Sequence, residues 1–426
     1  MATSSDGLRV PEPTRRRARI RALLKRGTRR RSARGRGRPR VCILRQTDMY
    51  EPPVQRTAEA LVAAGADVEV ICMRHPDRPA LTVINGVEIT SLRTSLSRSS
   101  RYRYAFDYAL FFAMAGWTLT VRHIRRPYAV VQVNTMPDFL VFAAAIPRML
   151  GSRLFLFMNE PVPELAMTLY GPGTVTRVLE WIEQRALRFA DHSYTVTEQL
   201  KQRYVQRGAA GDRITVVLNG ADPNVRFGTW TPSPNGDKRG FTVICHGAIE
   251  DRYGQDTLVE AVHQLHEELP DLHLVLTGRG ALVEEILGAV RAYGLEDVVS
   301  FEGWVSHERL NDLLHGADVG VVAQKPSPYS HLVHTNKMVD YWLFGLPVIA
   351  GRLQAVSQLY DDSFVEYFEA GEAHDLARAI RRVYSDAERR AELSRNGRIA
   401  QQEHGWHVQR KAYLEPYRRS GALAEV

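Results

Sequence analysis

The chain has 426 residues, 44% hydrophobic and 24% charged, which are globular proportions and exclude a disordered or fibrous protein. Its length exceeds what one core usually fills, so two domains are expected. The formal charge of +8 is concentrated: Arg15 to Arg40, "RRRARIRALLKRGTRRRSARGRGRPR", holds 14 basic residues and no acid, and +8 less 14 leaves −6 for the remainder, which excludes a polycationic body.

Residues 1–38 read as an Arg-rich, disordered tail. Clustered arginines can dock on an anionic membrane surface, and the other reading is a solubilising arm. Nucleic acid is not an expected partner, because no aromatic residues interleave for base stacking. The tail lacks the apolar centre of a secretory signal. The longest apolar run, "YALFFAMAGWTLTV" from 108 to 121, is too short to span a bilayer and fits a buried or membrane-surface helix. Cys42, Cys72 and Cys245 each sit inside an apolar run, as reduced core thiols would. The solubilising arm is the favoured reading of the tail, and a cytoplasmic protein is the expectation, peripheral at the membrane only if the tail docks there.

From Arg40 onward short apolar runs alternate with helical patterns: "VCILR", a helix over 53–64, "DVEVICM", a long helix near 104–124, "AVVQVN", a helix from 137, and "RLFLFMN". Near-continuous apolar strands alternating with helices predict a parallel sheet covered on both faces. Residues 221–240 are rich in Pro, Gly and Asn and read as a linker. The series then restarts with "FTVICHG", a helix from 254, "LHLVLTG", a helix from 281, "VVSFEG", a helix from 307, "DVGVVAQ", a helix beginning at "TNKMVDYWLFG", and "PVIAG". The expected fold class is α/β, with two doubly wound Rossmann-like domains: 39–220 and 241–405, followed by a C-terminal helix in 406–426 that returns to the first domain.

In such sheets ligands sit outside the carboxyl ends of strands, at helix N-termini. Three such turns in the second half carry candidate anion contacts: Arg252 with Gly254, the Gly278-Arg279-Gly280 turn, and Lys337. Lys337 and Asp340 fall on one face of a helix capped by Thr335 or Asn336. They read either as a surface ion pair or as a cation for a diphosphate beside an acid that accepts hydrogen bonds from ribose hydroxyls. His246, beside Gly247, is a donor-site contact or a packed histidine. Asn134, Asp138 and Glu164 follow strands of the first half and are candidates for the acceptor side, with Asp138 equally a cap for the helix beginning near Phe139. His331 and His334 suggest metal ligands by composition, but no third ligand has suitable spacing, so no metal is expected.

Over about residues 40–415 the chain resembles the retaining glycosyltransferases of family 4, which have the GT-B fold, two Rossmann-like domains facing across a cleft. The resemblance rests on ordered segments including "EPPVQRTAEALVAAGADVEVIC", "YAVVQVNTMPDFLVFAAAIPRMLG", "ITVVLNGADP", "GAIEDRYGQDTLVEAV", "LVLTGRG", "FEGWVSHERLNDLL" and "NKMVDYWLFGLPVIA". It implies that the second domain binds a nucleoside diphosphate sugar through Gly247, Gly254, Gly278 and Gly280, with base contacts near Gly303 to Val305. Arg252 and Lys337 would neutralise the diphosphate and Asp340 would hold the ribose. The first domain would bind the acceptor, a small molecule, glycan or lipid-linked group, with Asn159 at the transferred sugar and Glu160 beside it. No cofactor and no metal are implied. Two departures stand out: the family's first helix-flanking glutamate is Leu332 here, and its histidine after the "RLFLFM" strand is Asn159. The first loop, "RQTDMYEPP", also lacks the family's glycines. Besides the transferase, two other readings remain: a catalytically silent partner subunit docking through the basic tail, and a nucleotide-sugar epimerase of similar fold.

Overall fold

A computed structural model describes residues 38–47, 52–74, 79–94, 101–223 and 240–424, so the Arg-rich stretch before Arg38 and most of the expected linker lie outside the described residues. The first lobe is an eight-stranded sheet of β1 (Arg40–Leu44), β2 (Asp67–Met73), β3 (Leu81–Ile84), β4 (Val87–Leu92), β5 (Val130–Asn134), β6 (Arg153–Met158), β7 (His192–Thr195) and β8 (Ile214–Val216), in the order 3-4-2-1-5-6-7-8. The second lobe has six strands, β9 (Phe241–His246), β10 (Leu272–Thr277), β11 (Val299–Phe301), β12 (Val319–Val322), β13 (Val348–Gly351) and β14 (Glu366–Phe368), in the order 11-10-9-12-13-14. The second sheet is parallel throughout, and its central strands β9, β10 and β12 are buried along their whole length, as two covered faces require. Two Rossmann-like α/β lobes is thus the observed architecture.

The first sheet departs from the expected all-parallel pattern at one edge. β3 pairs antiparallel with β4 through Asn85 and Gly86, both at positive φ (51° and 79°), which permits a two-residue hairpin. Right-handed crossovers place the helix Arg101–Arg125, the segment Asp138–Met149 and the helix Thr174–Phe189 side by side in one layer. The helix Pro52–Ala63 lies on the other face of the sheet, beside the helix Trp406–Arg419. That last helix packs on the first lobe: Tyr413 and Tyr417 both donate from their hydroxyls to Gln132 Oε1 on β5, at 2.8 and 2.7 Å. Trp406 joins the same core.

Two capping expectations are corrected. The segment from 137 begins as a 3-10 turn, Asp138–Ala144, in which the Asp138 side chain caps nothing; it is buried, with Oδ1 lacking a partner. Thr335 stands at the N-cap of the helix Asn336–Leu343, but its hydroxyl makes no capping bond. Cys42, Cys72 and Cys245 are free and buried.

Candidate active site

The lobes face each other at the carboxyl ends of β9, β10 and β12. There a cavity of about 380 Å³ is walled on one side by Gln55, Arg56 and Asp222 of the first lobe and on the other by Gly247, Gly278, Val305 and Asp340 of the second. The glycines of the turns around it serve backbone packing first. A Cβ on Gly278 would stand 1.8 Å from the Gly247 carbonyl oxygen, one on Gly280 1.8 Å from that of Ile249, and one on Gly254 2.0 Å from that of Ala323. Three strand-to-helix turns therefore touch backbone to backbone, and the Gly278 N–H donates to the Gly303 carbonyl at 2.7 Å.

Lys337 is not part of a surface ion pair, because it is only 9% exposed. Its stem underlies Gly247, where a Cβ would meet Lys337 Cε at 2.9 Å, and its Nζ lies 4.6 Å from the centre of the Tyr253 ring. Arg252 Cζ lies 4.7 Å from the same ring and 5.8 Å from that of Tyr329. Asp340 diverges from Lys337, with its Oδ2 3.6 Å from His246 Nε2. Burial pushes the Lys337 ammonium below its usual range, Cys245 opposing and Arg252 adding to the fall. Burial works against the Arg252 cation too, but Tyr253, Tyr329 and Glu250 more than offset it. Among the described residues neither cation forms a salt bridge.

From the first lobe, Glu160 reaches across the cleft and accepts a hydrogen bond from the Tyr329 hydroxyl at 2.5 Å. Asn159 sits at the end of β6, its Nδ2 3.5 Å from the Thr135 carbonyl and its Oδ1 buried without a partner. The rest of the expected acceptor side is otherwise engaged. Asn134 is wholly buried and accepts from Gln132 at 2.7 Å. Asp138 and Glu164 are buried with Glu183, and Arg207 bonds Glu164 at 2.7 Å and Glu183 at 3.1 Å. Burial and the two neighbouring acids push the Asp138 carboxyl well up, and burial, against Arg207, pushes Glu183 up to about 7. Of this cluster Glu164 opens onto a second interlobe cavity of about 800 Å³, with Arg203 and Arg207 facing Ser327 and His331.

Leu332 explains its own departure: its side chain belongs to the first-lobe core, and its carbonyl accepts from the Thr197 hydroxyl at 2.6 Å. An apolar residue suits that interlobe seat. Nearby, Asn219 donates to the His334 carbonyl at 2.7 Å and Arg56 to Asn219 and the Gly220 carbonyl. Arg56, Tyr253 and Tyr329 escaped the sequence reading, since an arginine in a helix and tyrosines in loops carry no pattern until the lobes meet.

His334 is buried, both ring nitrogens lack partners, and burial, with His404, pushes it down to about 4. The folded protein thus holds it neutral, while the unfolded chain protonates it near 6.5. Its contribution is intact above about pH 6.5 and is lost as pH falls toward 4. Urea unfolding at stepped pH should show His334→Phe losing less stability over that window than the parent; His192, also pushed down to about 4, adds a slope of the same sign and Glu183, pushed up to about 7, one of the opposite sign, in both proteins alike.

A family model described as "Glycosyl transferase 4-like domain" matches residues 50–220, and one described as "Glycosyl transferases group 1" matches 240–386. The chain is 23% identical over 368 residues to a glycogen synthase of Mycobacterium tuberculosis, covering 80% of this chain and 84% of that one. The matches span about two-fifths of the length of the first curated relatives. A sucrose-phosphate synthase from Thermosynechococcus elongatus superposes with a TM-score of 0.70 at 19% identity, over 90% of this chain and 100% of that one. The Anabaena protein HepE, solved in complex with UDP-glucose, does so with a TM-score of 0.67 at 17% identity, over 89% and 99%. With two Rossmann-like lobes and a family model on each, this chain belongs to the glycosyltransferases of family 4 type with the GT-B fold.

Proposed function

We propose that the protein moves a sugar from a nucleoside diphosphate sugar to an acceptor hydroxyl, with retention at the anomeric carbon and without a metal ion. The observation that carries this reading is the pair Arg252 and Lys337, two cations beside the cleft that pack on aromatic rings and form no salt bridge among the described residues. Burying a charge without a counter-ion is costly, and a diphosphate would supply the missing one. UDP-glucose bound to HepE supports a nucleotide-sugar donor.

In this reading the diphosphate lies over the Gly247 and Gly278 turns, the base meets the backbone around Gly303 to Val305, and Asp340 accepts from the ribose hydroxyls. As the sugar–phosphate bond breaks, negative charge grows on the departing oxygen, and the two preorganised cations stabilise it. The acceptor hydroxyl attacks from the same face, and the leaving phosphate oxygen takes its proton. Asn159 Oδ1 accepts from a hydroxyl of the transferred sugar without ionising. Glu160, already in the cleft, faces the acceptor.

Incubating the purified chain with UDP-, GDP- and dTDP-sugars and assaying free nucleoside diphosphate tests this directly, with retention read from the anomeric signals of the product. Release should persist in EDTA, because side chains supply the positive charge that a metal supplies elsewhere. Loss on chelation, restored by magnesium or manganese, would overturn the metal-independent mechanism. The burial of Leu332 where the family carries a glutamate favours a second reading, a silent partner subunit, which release from any donor would remove.

A further inference from the structure

The helix Arg101–Arg125 is apolar on both sides. Phe111, Ala115 and Leu119 face the core, yet the outward positions Phe106, Leu110, Ala113, Trp117 and Ile124 are apolar and exposed too, Trp117 at 73%. Their spacing of four, three, four and seven residues keeps them on one stripe. Neighbouring elements of the same layer continue it. Met149 is 76% exposed beside Leu150, and Val178 and Trp181 project from the helix Thr174–Phe189. Single exposed apolar residues need no explanation, but a run across three adjacent elements does.

Acids from outside these elements pair some of their arginines, Asp67 with Arg126, Glu88 with Arg122 and Asp191 with Arg148, and the exposed charge that is left is cationic. Residues 101–190 hold ten arginines, no lysine and six acids, and none of the six is exposed. Asp107, Asp138, Glu164 and Glu183 are buried, Glu160 accepts from Tyr329 and Glu180 from Arg207. Arg125, Arg153, Arg177 and Arg185 are exposed, with Arg185 Cζ 5.1 Å from the centre of the Trp181 ring. A second copy docking here would bring two cationic faces together, which their mutual repulsion opposes. An anionic lipid surface satisfies both features at once, taking the apolar stripe into the acyl boundary and the arginines onto phosphates. Among the described residues no helix is long and apolar enough to cross a membrane, so the contact is interfacial.

We propose that this helical layer of the first lobe docks on an anionic lipid bilayer, with Phe106, Trp117, Met149 and Trp181 at the headgroup–acyl boundary. The proposal is independent of the donor reading and distinct from any role of the Arg-rich tail. The full chain is to be sedimented with vesicles of phosphatidylcholine, with and without phosphatidylglycerol, carrying bromine on the acyl chains. The expected result is binding only with phosphatidylglycerol, with tryptophan fluorescence quenched by the bromine. The double variant W117S/W181S should keep its thermal unfolding, since both side chains are exposed. It should lose the quenching and bind about tenfold or more weakly. Four results would overturn the proposal: no binding, binding without quenching, which assigns the contact to the tail, unchanged binding and quenching in W117S/W181S, or a dimer that this variant dissociates.

Discussion

Replacing Lys337 by alanine is expected to lower kcat/KM by about 100-fold or more, and Arg252→Ala should do the same, because each removes a preorganised cation from the place where charge grows in the transition state. Both side chains flank the Tyr253 ring, at 4.6 and 4.7 Å, and burial holds the Lys337 ammonium below its usual range. On the proposed reading a bound diphosphate relieves that cost. Folding should therefore survive K337A, which removes a buried charge without leaving a partner behind. Steady-state kinetics with the donor that supports release would check this, and unchanged kcat/KM in both variants would remove the diphosphate from this place. Lys337→Arg should rescue only in part, since a planar guanidinium does not replace a compact ammonium beneath Gly247.

Gly280→Ala should destabilise the second lobe by about 3 kcal/mol, the upper end of what overpacking costs. Its new Cβ would stand 1.8 Å from the Ile249 carbonyl oxygen, and a carbonyl held in a packed turn cannot swing away as a side-chain end would. Gly303→Ala is the contrast: a Cβ there meets nothing within 4 Å, so only the positive φ of 65° resists. Urea unfolding should rank Gly280→Ala well below Gly303→Ala. Equal stability would mean that the turn at 278–280 is looser than its backbone contacts imply.

These contacts also mark what the sequence made legible. Near-continuous apolar runs announced most strands of both sheets, since a strand buried on two faces has no polar alternation to hide it. Gly278, Gly280, Arg252 and Lys337 were recognisable as helix-start chemistry, but the reason for the glycines was not. A phosphate-binding loop and two turns packed backbone to backbone both demand glycine, and only coordinates separate them. The acceptor side was less legible. Asn134 and Asp138 follow strands as ligand-binding residues do, yet both side chains are buried. A strand end places a residue at the rim without fixing which way it points. The hairpin at Asn85–Gly86 was written plainly in its two turn residues, and the alternating strand pattern drew the reading past it.

The most direct test of the central claim, a nucleoside diphosphate held by Lys337 and Arg252 with its ribose at Asp340, is calorimetric titration of UDP, GDP and dTDP into the full chain and into K337A and D340A. The account predicts that at least one of the three binds the parent, that K337A abolishes the heat, and that D340A weakens binding of a ribose-bearing nucleotide. Absence of binding by all three, or an isotherm for K337A that overlays the parent's, would contradict it.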